Sequence, residues 1–496
     1  YHNWSMVRVL GERSPGMSAQ LMDDAFFGDH PGIPPYEPHA NDDRPDLAEK
    51  IAATMEMLMG ATELPPELEE DREKALALRA GRPNLAEATD AELVERALSI
   101  SPMVREFFEP YAIFGAASSF ALGPLPELCE GLEPSLSGRL ISGIGDIDSV
   151  PPSQAIWDLG RMVRNSEYLT GEFDSGTDGL LERLEGDDGS SFLAALDELR
   201  YEHGARGPVE WDIASPTWET RPELVIALVD RMRFADDDLA PTARQARAGA
   251  DRAAAEAELR AHLAGNEEAL IGLDTALRLA NLYVPCRERT KLTEMMTVHE
   301  IRVAVYELGR RMVERGIIEE PSQITMLTET ELQDLVADPE SLKETIQQRY
   351  QRIGELAARQ EPFILYQEAP DPNDWPLRSN DADPVAVGDE LAGVPGGPGT
   401  VIGRARVITD PGDPRGIEPG DIMIAPATDP AWTPLFVTAG GVVVDVGAPM
   451  SHAMIVSREL GVPCVTGVTN GSLRIKDGML LEVDGGAGTV KILDTA

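Results

Sequence analysis

The hydrophobic period of this chain changes once, and that change constrains its fold more than any other feature. Up to about residue 365 the apolar residues recur at three- and four-residue spacing among charges, the mark of amphipathic helices. Ala253 to Leu263, Glu267 to Tyr283 and Ser341 to Gln360 show it. Arg287 to Arg315 predicts one long helix that buries Met295, Met296, Val303, Val305, Leu308 and Met312 and stops at Gly316. Pro321-Ser322 opens a new element, and the prolines and glycines of Pro31 to Pro38 and Gly123 to Pro126 cut the earlier region into shorter pieces. Gln367 to Pro384 is polar and turn-rich, with Pro370, Asp371, Pro372, Asn373, Asp374, Pro376, Asn380 and Asp383, and reads as a linker. Beyond it the period is that of strands: Val401 to Ile408, Asp421 to Ile424, Val462 to Gly467, Met479 to Val483 and Thr489 to Leu493. Gly441-Val442-Val443-Val444 is a continuous β-branched run, as in a strand buried on both faces, and Ala453 to Leu460 has helical spacing. The expected fold is therefore multidomain: a mainly α domain over residues 1–366, a linker over 367–385, and a mixed α/β domain over 386–496.

At 496 residues the chain is too long for one ordinary core. A net charge of −43 repels nucleic acid and anionic membrane, so neither is an expected partner. Only six of the 43 basic residues are lysines, which gives weight to a lysine in a suggestive place. Three widely spaced cysteines, Cys129, Cys286 and Cys464, argue against a disulfide framework and a cysteine zinc site. No metal site is expected on this chain. The opening residues lack the charged-then-apolar pattern of a secretory leader. The weakly polar stretch Tyr111 to Leu125 is shorter than the roughly 18–20 residues that span a bilayer, so a cytoplasmic protein is expected.

Of seven histidines, His2, His30, His39 and His262 lie in ordinary polar or helical contexts. His452 stands where a buried strand passes through Asp445-Val446-Gly447-Ala448-Pro449-Met450 into a helix. A helix N-terminus offers free N–H groups and a positive dipole end to a phosphoryl group, and Ser451 can cap the helix or bind a phosphoryl oxygen. A neutral imidazole is a competent nucleophile whose phosphorus–nitrogen bond is labile enough to pass the group on. The same setting also suits a capping or core histidine. Arg287 and Lys291, at i and i+4, project from one face of their helix. Two neighbouring cations repel unless an anion lies between them, and fixed cations around a moving phosphoryl group are what its transfer needs. A solvated pair, or one matched to Glu288 and Glu294, is the alternative. His203, Arg206, Glu210 and Asp212 form a polar cluster before Trp211 and Trp218 in which one group can orient or deprotonate an acceptor hydroxyl, unless the cluster is a hydrogen-bonded turn. His299 lies about two helical turns beyond Lys291. Phe107, Phe108, Tyr111, Phe114 and Phe120 suit a hydrophobic pocket or, for most of them, core packing.

Several segments resemble a known family in order. They are Thr428 to Phe436, Ala439-Gly440-Gly441-Val442-Val443, Met450-Ser451-His452-Ala453-Met454 through Pro463, Asp477-Gly478 and Val483-Asp484-Gly485. They are similar to the swivelling phosphohistidine domain of phosphoenolpyruvate synthase, pyruvate phosphate dikinase and rifampin phosphotransferase, over about Gly388 to Leu493. Asp445 stands where a Glu is common there, and Ala448-Pro449 where a Gly pair is common. The helical region resembles the substrate domain of rifampin phosphotransferase at three places: Gly11-Glu12-Arg13-Ser14-Pro15-Gly16; His203 to Asp212 with Pro216-Thr217-Trp218; and Arg287-Glu288-Arg289-Thr290-Lys291 leading to Glu307-Leu308-Gly309-Arg310-Arg311-Met312.

The resemblance implies a dikinase-type phosphotransferase. His452 would take the phosphoryl group and deliver it to a site where Arg287 and Lys291 are catalytic and His203, Arg206, Glu210, His299 and Ser451 bind substrate. ATP and Mg²⁺ would be needed to charge the histidine, yet residues 1–385 contain no G-x-x-x-x-G-K-[ST] loop and no lysine-bearing ATP-grasp pattern. The expectation is thus a separate ATP-grasp subunit and a small phenolic acceptor, as in the split phenylphosphate synthase and hydroxyphenyl ketone kinase systems. The alternatives are a rifamycin-type antibiotic phosphotransferase whose ATP domain is absent from this chain, and a non-enzymatic phosphocarrier.

Overall fold

The computed structural model describes residues 4–13, 18–27, 33–38, 45–362, 365, 370–378, 383–410, 417–447 and 450–495. The motif residues Ser14, Pro15 and Gly16, the loop pair Ala448-Pro449, and positions 367–369 and 379–382 of the expected linker lie outside these. The chain forms two compact units. One joins residues 1–63 to 348–380 and contains helices Trp4–Arg13, Ala19–Phe27 and Pro45–Gly60, with a buried Arg8–Asp23 ion pair at 2.7 Å. The other joins residues 64–347 to 381–496 and holds everything that follows.

Two long helices organise that larger unit. Helix α1 (Asp90–Leu122) starts at a capping box in which Thr89 and Glu92 satisfy each other's backbone N–H groups. Helix α2 (Glu267–Glu314) is capped by Asn266, whose side chain accepts from the Ala269 N–H. The two pack along each other. The periodicity predicts separate helices on either side of Pro285; the structure carries one helix straight through it. Proline deletes one backbone hydrogen bond, a loss that tertiary packing overrides here because Leu279, Ala280, Tyr283, Val284 and Cys286 are all buried around it. Of the six positions expected to be buried, Met296 is half-buried and the other five are buried.

The C-terminal region is an eight-stranded mixed sheet in the order β1-β8-β7-β3-β4-β5-β6-β2. The strands are β1 Glu390–Ala392, β2 Val394–Gly397, β3 Thr400–Val407, β4 Ile422–Ala425, β5 Gly441–Val444, β6 Cys464–Thr466, β7 Leu480–Asp484 and β8 Thr489–Asp494. Strands β3 to β6 run parallel, and β5 pairs with β4 in the register Ile422↔Gly441 to Ala425↔Val444. All four residues of β5 are buried, as the β-branched run predicts. The two short strands β1 and β2 carry too little pattern to be read from sequence: Pro395 and two glycines make up most of β2. Helix α3 (His452–Leu460) packs on the sheet, and its buried face joins Trp157, Leu228 and Val284 of the helical region in one apolar core with Phe436 and Val442. The sheet and the helical region therefore share a core rather than merely touching.

Candidate active site

Strand β5 leads into the loop that delivers His452 as the first residue of α3, with Ser451 as its N-cap in extended conformation. The Ser451 side chain makes no cap bond, and its Oγ is buried without a hydrogen-bond partner. Gly461, at φ +61°, ends the helix in the left-handed conformation that lacks a Cβ penalty. Asp445 accepts from Ser472 through both its backbone N–H, at 2.7 Å, and its hydroxyl, so it anchors a neighbouring turn rather than the histidine.

His452 is buried, with 6 % of its surface exposed. Its Nδ1 lies 3.0 Å from Thr428 Oγ1 and its Nε2 lies 3.0 Å from Thr433 Oγ1. Phe436 meets the ring edge-on at 5.8 Å between centroids. A hydroxyl can donate to a bare ring nitrogen or accept from a protonated one, so two threonines satisfy either tautomer of a neutral imidazole. Burial pushes the ring's pKa down to about 3, with Lys291 and Arg206 adding to the fall and Glu288 and Asp429 opposing it. At neutral pH His452 is uncharged and nucleophilic.

The helical region meets it with alternating charges. Lys291, on α2, is buried and lies 2.7 Å from Asp429 Oδ1 and 3.3 Å from Glu210 Oε2. Burial disfavours its charge, but the carboxylates of Glu210, Asp429 and Glu288 outweigh burial and raise its pKa. Arg206 bonds Glu210 at 3.2 Å and the Asp148 carbonyl at 2.8 Å. Arg287 and Ser149 both bond Glu288. Burial alone would raise the Glu288 pKa; Arg287 and Lys291 hold it near 2 instead. Lys291, Arg206, Glu288 and Asp429 thus act on His452, with Glu210 and Arg287 paired to them, and the three cations and three carboxylates neutralise one another. Every carboxylate here is paired with a cation, which leaves no oxygen-rich set for a hard cation such as Mg²⁺. Among the described residues no three His, Cys, Asp or Glu side chains converge as a metal site.

The structure brings Lys291, Arg206 and Glu210 to His452 and ties Arg287 in through Glu288. Neither His203 nor His299 has a side-chain hydrogen bond to His452, whose ring nitrogens meet the two threonines. His203 ends helix Ser190–His203, 3.8 Å from Glu202, and burial beside the Arg206 charge lowers its pKa to about 4. His299 Nε2–H donates to the Glu219 carboxylate at 2.7 Å, in a second network where Arg79 and Arg82 hold Glu219 and Arg82 and Arg96 hold Glu300. Lys291 and His299 are separated by about 12 Å along α2. Sequence reasoning assigned no role to Thr428, Asp429 or Thr433, although all three lie inside the motif that carried the resemblance.

A cavity of about 560 Å³ opens between α1, α2 and helix α4 (Glu329–Ala337), with Glu294, three residues beyond Lys291 on α2, in its wall. Its lining is mostly apolar, with Phe108, Ile213, Val298, Ile301 and Leu327. Of the aromatic residues considered for a pocket, Phe108 lines it and packs near Tyr111 and Trp211, whereas Phe107 and Phe114 are core residues. Glu294 also lines the cavity.

Residues 108–288 match the family described as rifampicin phosphotransferase fourth domain, and residues 417–488 match PEP-utilising enzyme, mobile domain. A rifampicin phosphotransferase of Streptomyces sviceus is 30 % identical over 351 residues, 68 % of this chain and 39 % of the relative. The rifampicin phosphotransferase of Bacillus subtilis is 28 % identical over 357 residues, 70 % of this chain and 38 % of the relative. The prodigiosin synthesizing transferase PigC of Serratia marcescens is 28 % identical over 310 residues, 61 % of this chain and 33 % of the relative. The chain spans well under half the length of these relatives.

Proposed function

Because this chain belongs to the PEP-utilising enzymes through its mobile domain, we propose that it carries the receiving half of an ATP-dependent phosphotransfer, with His452 as the group that holds the phosphoryl between donor and acceptor. The observation that supports this most is a neutral, buried histidine at a helix N-terminus that feels the charges of Lys291 and Arg206, with Arg287 tied to the same cluster through Glu288. A phosphoryl group on His452 brings negative charge into a cluster that is already balanced. It would compete with Asp429 for Lys291 and with Glu288 for Arg287, so these cations would be transferred from carboxylate to phosphoryl oxygens. The unpartnered Ser451 Oγ and the free N–H groups of the first turn of α3 would take the remaining oxygens. Thr428 and Thr433 orient the ring, and one of them must release its nitrogen for phosphorylation.

Charging His452 calls for ATP and Mg²⁺ at a nucleotide site, and residues 386–496 would swing between that site and this one. We infer that the nucleotide is held by a separate ATP-grasp subunit and that the acceptor is a small phenol. A phenol ionises near pH ~10, and cations such as Lys291 and Arg287 ease formation of its phenolate. A second form of the reading, a rifamycin-type acceptor, is favoured by the names of the relatives and by the cavity, whose volume suits a drug-sized molecule better than a single ring.

The test is intact-mass analysis after incubation with phosphoramidate, a small phosphoryl donor, and separately with ATP, Mg²⁺ and a candidate ATP-grasp partner. The wild-type chain is expected to gain one phosphoryl group and His452→Ala none. Equal labelling of His452→Ala would refute the phosphohistidine reading. Labelling of the wild type with no transfer to any phenol or rifamycin would leave a phosphocarrier in place of an enzyme.

A further inference from the structure

Glu294 is a buried acid with no close ion pair among the described residues. It is 1 % exposed, it lines the apolar cavity, and its Oε2 has no hydrogen-bond partner. Among the described residues this sets it apart from the carboxylates around His452, each of which is held by an arginine or a lysine. An unpaired buried carboxylate is costly, and a chain keeps one where a ligand completes it. Its place is specific. Glu294 lies three residues, less than one helical turn, from Lys291 on α2, so it joins the cavity to the cation cluster at His452. The charged groups facing it are Lys291 on its own helix, Arg105 from α1 and Glu329 from α4 across the cavity, with Glu329 already held by Ser101 at 2.6 Å.

We propose that Glu294 accepts the proton of the acceptor hydroxyl while the apolar body of the acceptor fills this cavity. The inference rests on His452 being the phosphoryl carrier. In the step, the acceptor oxygen forms the O–P bond as the P–N bond to His452 breaks, and the electron pair of that bond stays on the ring nitrogen. The hydroxyl proton passes to Glu294 and over the turnover replaces the phosphoryl group on the imidazole. The products are a phosphorylated acceptor, a neutral His452 and Glu294 again as carboxylate. Burial in the apolar wall raises the Glu294 pKa to about 7, with Lys291 partly offsetting it, which suits a group that must both take and return a proton near neutrality. The ligand class is a mainly apolar molecule with a reactive hydroxyl, because most of the lining is apolar and Glu294 is its buried acceptor without a hydrogen-bond partner on Oε2.

The experiment is a single turnover. The chain is phosphorylated on His452 with phosphoramidate, freed of reagent, and mixed with phenol, a hydroxyphenyl ketone and rifampicin in turn. Wild type is expected to transfer to at least one probe, with a rate that climbs about tenfold per pH unit below pH ~7 and levels above it, as Glu294 loses its proton. Glu294→Gln, which keeps the shape, is expected to form phospho-His452 but to transfer it roughly 100-fold more slowly or worse, without the pH step. Glu294→Asp is expected to recover part of the rate and the pH step. Transfer by Glu294→Gln at the wild-type rate, or with an unchanged pH profile, overturns the inference. So does a phosphorylated wild type that transfers to none of the probes. If no phospho-His452 forms on wild type, the carrier reading itself has failed, a different result.

Discussion

At the scale of single residues the site is a contest between burial and charge. His452 loses its proton affinity to burial, and the two threonines on its ring nitrogens match the neutral form. Its folded-state pKa is lowered from the ordinary value near ~6.5 to about 3, so the unfolded chain binds a proton that the folded site refuses. The stability this contributes is present above pH ~6.5 and is lost as pH falls toward about 3. In nitrogen-labelled histidine spectra, His452 is therefore expected to stay at neutral-imidazole shifts from about pH 8 down to about pH 5. A transition near ~6.5 would mean that the ring is solvated and the docked arrangement wrong. Lys291 is the opposite case, a buried charge kept by its partners. Lys291→Met strands Asp429 and leaves Glu210 to Arg206 alone, and breaking such a pair costs roughly 3–5 kcal/mol, read as a fall in the denaturant midpoint. A double variant with Asp429→Asn is expected to recover part of that loss.

At the scale of elements, α2 is the platform. It supplies Arg287, Glu288, Lys291 and Glu294 from consecutive turns, and its neighbours fix its position. One contact is unusually close: a Cβ built on Gly309 would sit 2.3 Å from the Pro321 carbonyl oxygen. Glycine is required there because the segment Pro321–Met326 crosses against the helix backbone. Gly309→Ala is expected to destabilise the chain by roughly 1–3 kcal/mol through overpacking, measured by thermal or denaturant melts. A neutral result would mean that the crossing segment yields freely. The strands and α3 were legible from period alone, since β5 is a β-branched run and α3 follows it directly. Strands β1 and β2 were not, because three or four residues with Pro and Gly carry no usable alternation.

At the scale of the molecule, the sheet region and the helical region are joined at the back of α3 as well as at its histidine. Glu459 accepts from the Ile144 N–H at 2.8 Å, the Gly145 N–H at 3.0 Å and the Gln245 side chain at 3.1 Å, and the Gly143 N–H donates to the Arg458 carbonyl at 3.1 Å. If residues 386–496 swing as proposed, they must give up these bonds. Glu459→Ala removes one acceptor from three donors and is expected to loosen this junction, seen as faster hydrogen exchange in α3 and in residues 143–145 with the strand core of the sheet unaffected. Unchanged exchange there would show that the shared apolar core alone holds the two regions together. The described helices include none long and apolar enough to cross a membrane.

The chain's period switch, its β-branched run and the placing of His452 at a strand-to-helix junction were determined by the sequence, because each is a local pattern that the backbone must obey. The motif around His452 carried the family resemblance for the same reason. What surrounds the histidine was decided only in three dimensions. Asp429 reaches Lys291 from 138 residues away, and Thr428 and Thr433 cage a ring 24 and 19 residues distant. Glu294 shows the difference most clearly. In sequence it is a carboxylate three residues from a lysine, an ordinary helical pair; in the fold Lys291 is turned toward other carboxylates and Glu294 is left facing a cavity. Which partner a buried charge takes depends on every group the packing brings near it, and periodicity holds no record of that.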